Sequence, residues 1–153
     1  MTLGQIVRSK HMSPAVVSIG SDRTLRDAID LLCRHRIGAL MVLEPETGKI
    51  LGICSERDVL NCFCSCRRRD PETTRVRDIM TRDVVVAEAQ ERATRALRVM
   101  STRHVRHLPV MEGDRLIGVV TLGDVLRDLY EESEVRIHSI DDYLSGTYRN
   151  QVF

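Results

Sequence analysis

The sequence predicts an α+β protein made of two tandem β-α-β-β-α repeats, packed as a pseudo-two-fold module and followed by a C-terminal helix. Three observations favour this fold class. The chain matches itself at a shift of 68 residues, each copy alternates β-branched stretches with helical apolar patterns, and 42% of the 153 residues are hydrophobic. Because neither copy can bury both faces of its own sheet, we expect the two copies to share a core.

The internal repeat is visible in three blocks at this shift. The aligned segments are 12–18 with 80–86, 28–32 with 96–100 and 40–42 with 108–110. Segment 44–49 is longer than 112–115, and a hairpin turn is where such an insertion is tolerated. The repeat gives three regions. These are 1–67 as the first repeat with its N-terminal segment, 68–130 as the second repeat with its linker, and 131–153 as a helical tail.

Each copy opens with a short β-branched stretch, 16–19 in the first and 84–86 in the second, which indicates a strand. Thr24 followed by Asp27 resembles a capping box and predicts the start of a helix. The apolar face of that helix is Leu25, Ala28, Ile29 and Leu32, and its counterpart in the second copy is Ala93, Ala96, Leu97 and Met100. We expect Gly38 to end the first helix.

Two apolar stretches joined by turn residues follow in each copy and predict a hairpin. They are 39–43 with 49–54 and 107–111 with 116–120. Ser55 and Thr121 then stand where N-caps are expected, so each copy ends in a second helix.

The tail beyond the repeat contains most of the aromatic residues, namely Tyr130, Tyr143, Tyr148 and Phe153. Its stripe of Ile137, Ile140 and Leu144 predicts a helix that Gly146 ends. We expect this tail to pack on the module or on a second subunit.

Composition argues against several function classes. Lys and Arg number 23 against 22 Asp and Glu, so no global charge attracts nucleic acid. The longest apolar run, 38–43, is far shorter than the ~20 residues of a membrane span. The N-terminus lacks the apolar stretch of a signal peptide. We therefore expect a cytoplasmic protein without nucleic-acid or membrane partners.

No catalytic pattern was found, whether Gly-x-Ser-x-Gly, Walker loop or His-Glu-x-x-His, so we expect neither enzymatic activity nor a catalytic cofactor. The five cysteines are expected to be free thiols, with Cys33 and Cys54 on apolar faces. A metal or redox site at Cys62, Cys64 and Cys66 is the weaker interpretation, because no Cys-x-x-Cys turn is present.

The residues best suited to bind a ligand lie at two equivalent strand-to-helix junctions, 52–58 and 118–124, which both read Gly-apolar-apolar-hydroxyl-x-x-acid. A helix N-terminus and a hydroxyl favour a phosphate. An Asp one turn later can accept hydrogen bonds from two vicinal ribose hydroxyls, and the Gly leaves room for a ligand. A capping box alone explains either junction taken singly, whereas two equivalent copies favour a binding site.

The duplicated element order, segments 78–81 and 106–110 and the two junctions resemble the tandem CBS domain pair, or Bateman module, over roughly residues 1–130. This resemblance implies an energy-sensing regulatory module that binds AMP, ADP, ATP or NAD in the cleft between the repeats. It also implies a homodimer whose conformational change is read by an unidentified regulated protein. The alternative is a constitutive dimerisation or docking domain with empty clefts.

By this resemblance, Asp58 and Asp124 would hold ribose hydroxyls, and Ser55 and Thr121 would hold phosphate. The other nucleotide-binding candidates are Ala15, Val16, Asp83 and Val84 for backbone contacts to adenine, Arg57, Arg106 and His107 for phosphate, and Gly38, Ala39 and Thr81.

The two copies differ in these candidates. Gly38 and Ala39, which offer only backbone, replace Arg106-His107, and Gly123 replaces Arg57. The sequence is therefore compatible with two unequal sites, or with one site combining Arg57 or Asp58 with the basic pair of the other copy.

Overall fold

The computed structural model describes residues 1–10, 16–64 and 68–134, and it confirms the α+β class and the order of elements in each repeat. Helix α1 spans Leu3–Ser9. The first repeat then contains β1 (Ser18–Ile19), α2 (Leu25–His35), β2 (Ala39–Leu43), β3 (Ile50–Ser55) and α3 (Glu56–Cys62). The second contains β4 (Ala87–Glu88), α4 (Ala93–Arg103), β5 (His107–Glu112), β6 (Arg115–Thr121) and α5 (122–134).

Each repeat folds its three strands into one sheet, in the orders β1-β2-β3 and β4-β5-β6. The first two strands of each sheet run parallel, and the last two form an antiparallel hairpin. Because a parallel pair needs a crossover, α2 and α4 connect the first strand to the second in their repeats. The antiparallel pairs β2-β3 and β5-β6 confirm the predicted hairpins.

The chain divides into two compact units, which we call the first-repeat unit (Lys10–Val86) and the second-repeat unit (Met1–Ser9 with the residues from Ala87 onward). The segment that precedes each repeat thus packs in the unit of the other repeat. We call 1–8, in the second-repeat unit, and 74–81, in the first-repeat unit, the exchanged segments. Three equivalent backbone hydrogen bonds attach each segment. They are Leu25 N to Thr74 O (2.8 Å), Val76 N to Arg23 O (2.9 Å) and Arg77 N to Ser21 O (3.0 Å), and Ala93 N to Met1 O (3.4 Å), Leu3 N to Glu91 O (2.8 Å) and Gly4 N to Ala89 O (2.9 Å).

This exchange explains two differences from the sequence-based expectations. The compact units cut across the boundary at 67/68, because a repeat boundary marks similarity and not packing. The strand expected at 84–86 instead lies at β4, Ala87–Glu88. The chain before it is tied to the first-repeat unit by two 2.9 Å hydrogen bonds between the backbones of Ile53 and Thr81.

Helix α2 begins as predicted, with Thr24 and Asp27 forming a complete capping box. It ends differently. Arg36, with φ 52°, takes the left-handed conformation and donates its N–H to the Cys33 and Leu32 carbonyls, so the expectation that Gly38 ends the helix is wrong. His104 does the same after α4, with φ 54°. Both turns accept the cost of ~1 kcal/mol that a side chain meets at positive φ.

The core of the first-repeat unit gathers one buried side chain or more from each strand and from α2. Its buried members are Ile19, Ala28, Leu32, Leu40, Val42, Cys54, Val76 and Met80. Val76 and Met80 come from the exchanged segment, so that segment completes the core beneath the sheet. In the second-repeat unit, α1 likewise buries Leu3 and Ile6.

The predictions for the cysteines are confirmed only in part. Cys54 is buried as expected, and Cys62 is buried on α3, whereas Cys33 is exposed, so its expected place on the apolar face is wrong. Cys64 is exposed, and Cys66 lies outside the described residues. Burial, followed by the neighbouring Asp58 and Cys62, raises the pKa of Cys54 to about 12. The buried Cys54 thiol is therefore protonated and unreactive at neutral pH.

Only the start of the predicted tail, up to residue 134, lies among the described residues. Tyr130 lies on α5 with 63% of its surface exposed, and its hydroxyl donates to Glu134 at 2.7 Å. This hydrogen bond raises the pKa of Tyr130. The helix expected around Ile137, Ile140 and Leu144 lies outside the described residues.

Candidate functional site

At the first junction, Ser55 and Asp58 join the end of β3 to the first turn of α3. The Ser55 N–H and hydroxyl donate to Asp58 Oδ2 at 2.7 and 2.8 Å, and the Asp58 N–H lies 3.4 Å from Ser55 Oγ. Both residues are half-buried. The capping box weighed in the sequence analysis is thus present, and it fixes the carboxylate at the surface of the unit.

The second junction repeats this geometry at the start of α5. The Thr121 N–H and hydroxyl both donate to Asp124 Oδ2 at 2.7 Å, and the Asp124 N–H donates to Thr121 Oγ1 at 3.2 Å. An ionised carboxylate has about four acceptor positions on its two oxygens. At both junctions it is Oδ2 of the Asp that accepts from the N-cap residue.

The start of the preceding strand lies beside each junction. In the first repeat, Ala39 is the register partner of Ser55, and the Gly38 carbonyl accepts a 3.0 Å hydrogen bond from the Glu56 N–H. In the second repeat, His107 is the register partner of Thr121. The sheet therefore brings these distant stretches of sequence to one edge.

The same edge of the second sheet carries Arg106, whose carbonyl accepts a 2.9 Å hydrogen bond from the Leu122 N–H. Gly38 and Arg106 are thus equivalent in backbone position and different in side chain. Arg106 is exposed, and within residues 1–10, 16–64 and 68–134 its guanidinium has no carboxylate partner. Arg57 in α3 is likewise exposed and unpaired in the described part of the chain.

Thr81 makes a contact that the sequence did not anticipate. Its hydroxyl lies 3.5 Å from Asp58 Oδ1, so the exchanged segment reaches the acid of the first junction. Asp83 and Val84 follow Thr81 in the same unit, the first exposed and the second half-buried. Val16 is half-buried, and Ala15 lies outside the described residues.

Gly52 serves a different purpose from the one expected of it. A Cβ atom built on Gly52 would lie 2.8 Å from the Thr81 carbonyl oxygen and 2.8 Å from Met80 Sδ. The space beside this glycine is therefore filled by the exchanged segment of the chain itself. The absent side chain admits the protein's own backbone at this position.

The described residues contain no cluster of three histidine, cysteine or acidic side chains that could hold a metal ion. The proposed ligands Cys62 and Cys64 are respectively buried and exposed, and Cys66 is outside the description. In the part of the chain that the structure describes, every helix is too short or too polar to cross a membrane.

Comparison with known proteins gives one consistent result. The model of the CBS domain family matches residues 4–64 and 76–131. The mitochondrial CBS domain-containing protein CBSX3 of Arabidopsis thaliana is 30% identical over 152 residues, which cover 96% of this chain and 73% of that protein.

Two solved structures agree with this match. A CBS domain protein from Burkholderia ambifaria superposes with a TM-score of 0.76 at 30% identity, covering 84% of this chain and 93% of the other. A CBS domain pair solved with 5′-methylthioadenosine and S-adenosyl-L-methionine superposes with a TM-score of 0.73 at 23% identity, covering 86% of this chain and 98% of the other.

Proposed function

Because the chain belongs to the CBS domain family and carries two copies of the domain, we propose that it is a non-catalytic regulatory module that binds adenosine-containing ligands. The ligand class is an adenine nucleotide, AMP, ADP, ATP or NAD, or a related adenosine compound. Binding shifts the packing of the protein, and a regulated partner protein responds to that shift. We extend the proposal to a homodimer in the cytoplasm.

The observation that carries this proposal is the recurrence of one carboxylate in one geometry. Asp58 and Asp124 are both half-buried, and both are held by the N–H and hydroxyl of the N-cap residue before them. A carboxylate held in this position suits a pair of vicinal hydroxyls, which are donors at a spacing that two carboxylate oxygens can match. A ribose presents such a pair.

The phosphate of a nucleotide would be held by donors at the same edges. Arg106 and Arg57 are exposed guanidinium groups without a carboxylate partner in the described chain, so each is available to an anion. His107 adds an imidazole beside Thr121. The Ser55 and Thr121 hydroxyls already donate to their Asp partners, so in this role they would have to exchange that bond for one to phosphate.

The adenine is assigned to the segments that precede strands β1 and β4. Val16 and Val84 are half-buried aliphatic residues at equivalent positions of the repeat, and backbone groups near them would recognise the edge of the base. One further fact supports the class of ligand. A CBS domain pair with the same fold has been solved with two adenosine compounds bound.

A thermal-stability experiment tests this function. The protein is heated with 1 mM AMP, ADP, ATP, NAD, 5′-methylthioadenosine or S-adenosyl-L-methionine. A ligand at about 100 times its dissociation constant adds about 2.7 kcal/mol to the free energy of unfolding. We expect at least one compound to stabilise the protein, and the double variant Asp58→Asn/Asp124→Asn to reduce the effect strongly. Asp114→Asn, in the exposed hairpin turn, is the matched control.

The second candidate is a docking domain that binds no small molecule. It is favoured by Leu60 on α3 and Leu126 on α5, which occupy equivalent positions and are 68% and 48% exposed. Exposed apolar side chains on a helix are typical of protein interfaces. Stability unchanged by all six compounds would support this function and reject the nucleotide sensor.

A further inference from the structure

We propose that one side of α4 is a docking surface for an acidic segment of a partner protein. This surface, which we call the basic face, is formed by four exposed arginines, Arg92, Arg95, Arg98 and Arg103. Ala93, Ala96 and Met100 of the same helix are buried in the second-repeat unit. The inference goes beyond the proposed function, because it does not depend on the binding of any small molecule.

The charge of the basic face has one sign. No Asp or Glu occurs from 92 to 111. Helix α2 connects the first two strands of the first sheet as α4 does in the second, and it carries Asp27 and Asp30 where α4 carries Arg95 and Arg98. Since the same architecture forms with acids at these positions, the fold itself does not require the arginines of α4.

The start of α4 even opposes the stability of the helix. Arg92 is the N-cap residue and Arg95 lies in the first turn, where the helix dipole favours anions. The first turn contains no acid, and the Arg92 side chain makes no capping hydrogen bond. Arg95 and Arg98 are three residues apart, so their charges repel each other. Positions that break local rules in this way are typical of functional surfaces.

Two of the four arginines already bind carboxylates of this chain. Arg95 Nε lies 2.8 Å from Glu91 Oε2, and Arg92 Nη2 lies 3.6 Å from Glu132 Oε1. Within residues 1–10, 16–64 and 68–134, Arg98 and Arg103 make no ion pair. A planar guanidinium with paired donors matches a carboxylate, so the same chemistry extends from Glu91 and Glu132 to the acids of a partner.

The other anionic partners fit the basic face less well. Nucleic-acid surfaces combine cations with aromatic side chains on which bases stack, and the described helix α4 contains no aromatic residue. A helix that binds a membrane surface inserts its apolar side into the lipid, whereas the apolar side of α4 is buried in the protein. An acidic protein segment needs neither feature.

Fluorescence anisotropy on the full chain tests the proposal. The probe is a short fluorescein-labelled peptide of alternating Glu and Ser, and the peptide of alternating Gln and Ser is its uncharged control. NaCl is held at about 100 mM, where charges more than about 10 Å apart are largely screened. We expect the acidic peptide to bind, and Arg98→Glu/Arg103→Glu to weaken it at least about tenfold, because attraction becomes repulsion.

Two further double variants assign this loss to the basic face. Arg34→Glu/Arg115→Glu makes the same change of net charge at exposed arginines of α2 and β6, and it should alter the affinity by less than about twofold. Arg98→Gln/Arg103→Gln removes attraction without adding repulsion, so it should weaken binding about threefold. Circular dichroism and thermal unfolding confirm that each variant is folded, and the Gln variant decides the test if the Glu variant does not fold.

Three outcomes overturn the proposal. The first is no binding of the acidic peptide to the unmodified chain, and the second is an equal loss in Arg34→Glu/Arg115→Glu. The third is tighter binding of single-stranded oligothymidylate, or of phosphatidylcholine vesicles containing phosphatidylserine, with loss of that binding in Arg98→Glu/Arg103→Glu. The thermal-stability screen with adenosine compounds tests the proposed function separately, and its failure would leave the basic face as it is.

Discussion

The two repeats of this chain share a backbone and differ in the side chains placed on it. Both end their first helix on a left-handed residue that is not glycine, Arg36 or His104. Both shift register at the same place in their hairpins, between Val42/Leu43 and Val110/Met111. Both cap the second helix with a hydroxyl and an acid three residues apart. Duplication has therefore kept the hydrogen-bond framework and left the flanking positions to diverge.

The divergence is concentrated in two places. One is the strand edge beside each junction, where Gly38 occupies the position that Arg106 occupies in the second repeat. The other is the exchanged segment, which is a seven-residue helix, α1, in the second-repeat unit and a short 3₁₀ turn, Val76–Asp78, in the first. The side chains at the strand edge and the contacts of these segments therefore differ between the repeats, while the sheet is the same in both.

The largest expected effect concerns the packing of the two exchanged segments. Gly52→Ala places a methyl group 2.8 Å from the Thr81 carbonyl, so the segment must move, and we expect a loss of about 2–3 kcal/mol. At Gly4 in α1 the closest atoms, in Ala89 and Arg8, lie at 3.2 Å. There Gly4→Ala also gains up to about 1 kcal/mol of helix propensity, so we expect a much smaller change.

Urea unfolding of both variants measures the difference. Gly20→Ala, whose nearest atom beyond its chain neighbours is 3.7 Å away, serves as the control in the first repeat. Equal losses for Gly52→Ala and Gly4→Ala would show that the two segments are packed alike, and would contradict this part of the comparison.

A smaller effect is expected at the first helix of each repeat. Thr24 caps α2 with its side chain, whereas Arg92 stands at the same position before α4 and makes no side-chain cap. Thr24→Ala should cost about 1 kcal/mol, and Arg92→Thr should add several tenths to about 1 kcal/mol. The gain is reduced by the loss of the Arg92–Glu132 ion pair, 3.6 Å in length, which lies at the surface with Glu132 half-buried. Chemical denaturation measures both changes in stability. Destabilisation by Arg92→Thr would show that a side-chain cap does not stabilise α4.

The smallest effect is a dependence on pH that arises at the start of α2 in the first repeat. The hydrogen bond from the Thr24 backbone, assisted by Arg23, lowers the pKa of Asp27. The carboxylate therefore stabilises the fold above the ordinary Asp range, and this contribution is lost as the pH falls below about 4. The second repeat has Arg95 at the equivalent position.

We accordingly expect Asp27→Asn to lose less stability between pH 6 and pH 3 than the unmodified protein loses. Urea unfolding at the two pH values measures this, with Asp30→Asn on the exposed face of α2 as the control. Identical pH dependence in the unmodified and Asp27→Asn proteins would show that the ionised Asp27 carboxylate does not stabilise the fold.

The features that the sequence predicts well are the local ones. The capping boxes at Thr24, Ser55 and Thr121 each depend on two residues three apart, and the hairpins on apolar stretches separated by turn residues. Such signals act within a few residues, so they survive without knowledge of the tertiary fold. Aligning the repeats shows that the basic pair Arg106-His107 occurs in one copy only, and the register of β5 with β6 in the structure places His107 beside Thr121.

The features that the sequence does not reveal depend on long-range packing. Nothing in segments 1–8 and 74–81 indicates that each one docks on the other repeat, because their partners lie far away in sequence. The contact of Thr81 with Asp58 and the filled space at Gly52 are consequences of the same exchange. The left-handed Arg36 escaped prediction because glycine, and not arginine, is the usual signal for such a turn.

The central claim is that Asp58 and Asp124 hold the two hydroxyls of a ribose. The most direct measurement is a calorimetric comparison of AMP with 2′-deoxy-AMP on the unmodified chain, repeated on the Asp58→Asn/Asp124→Asn variant. Loss of one hydroxyl leaves the carboxylate short of a charge-assisted partner, so we expect 2′-deoxy-AMP to bind about tenfold more weakly, and the variant to lose that discrimination. Equal affinities of the unmodified protein for the two nucleotides would contradict the claim.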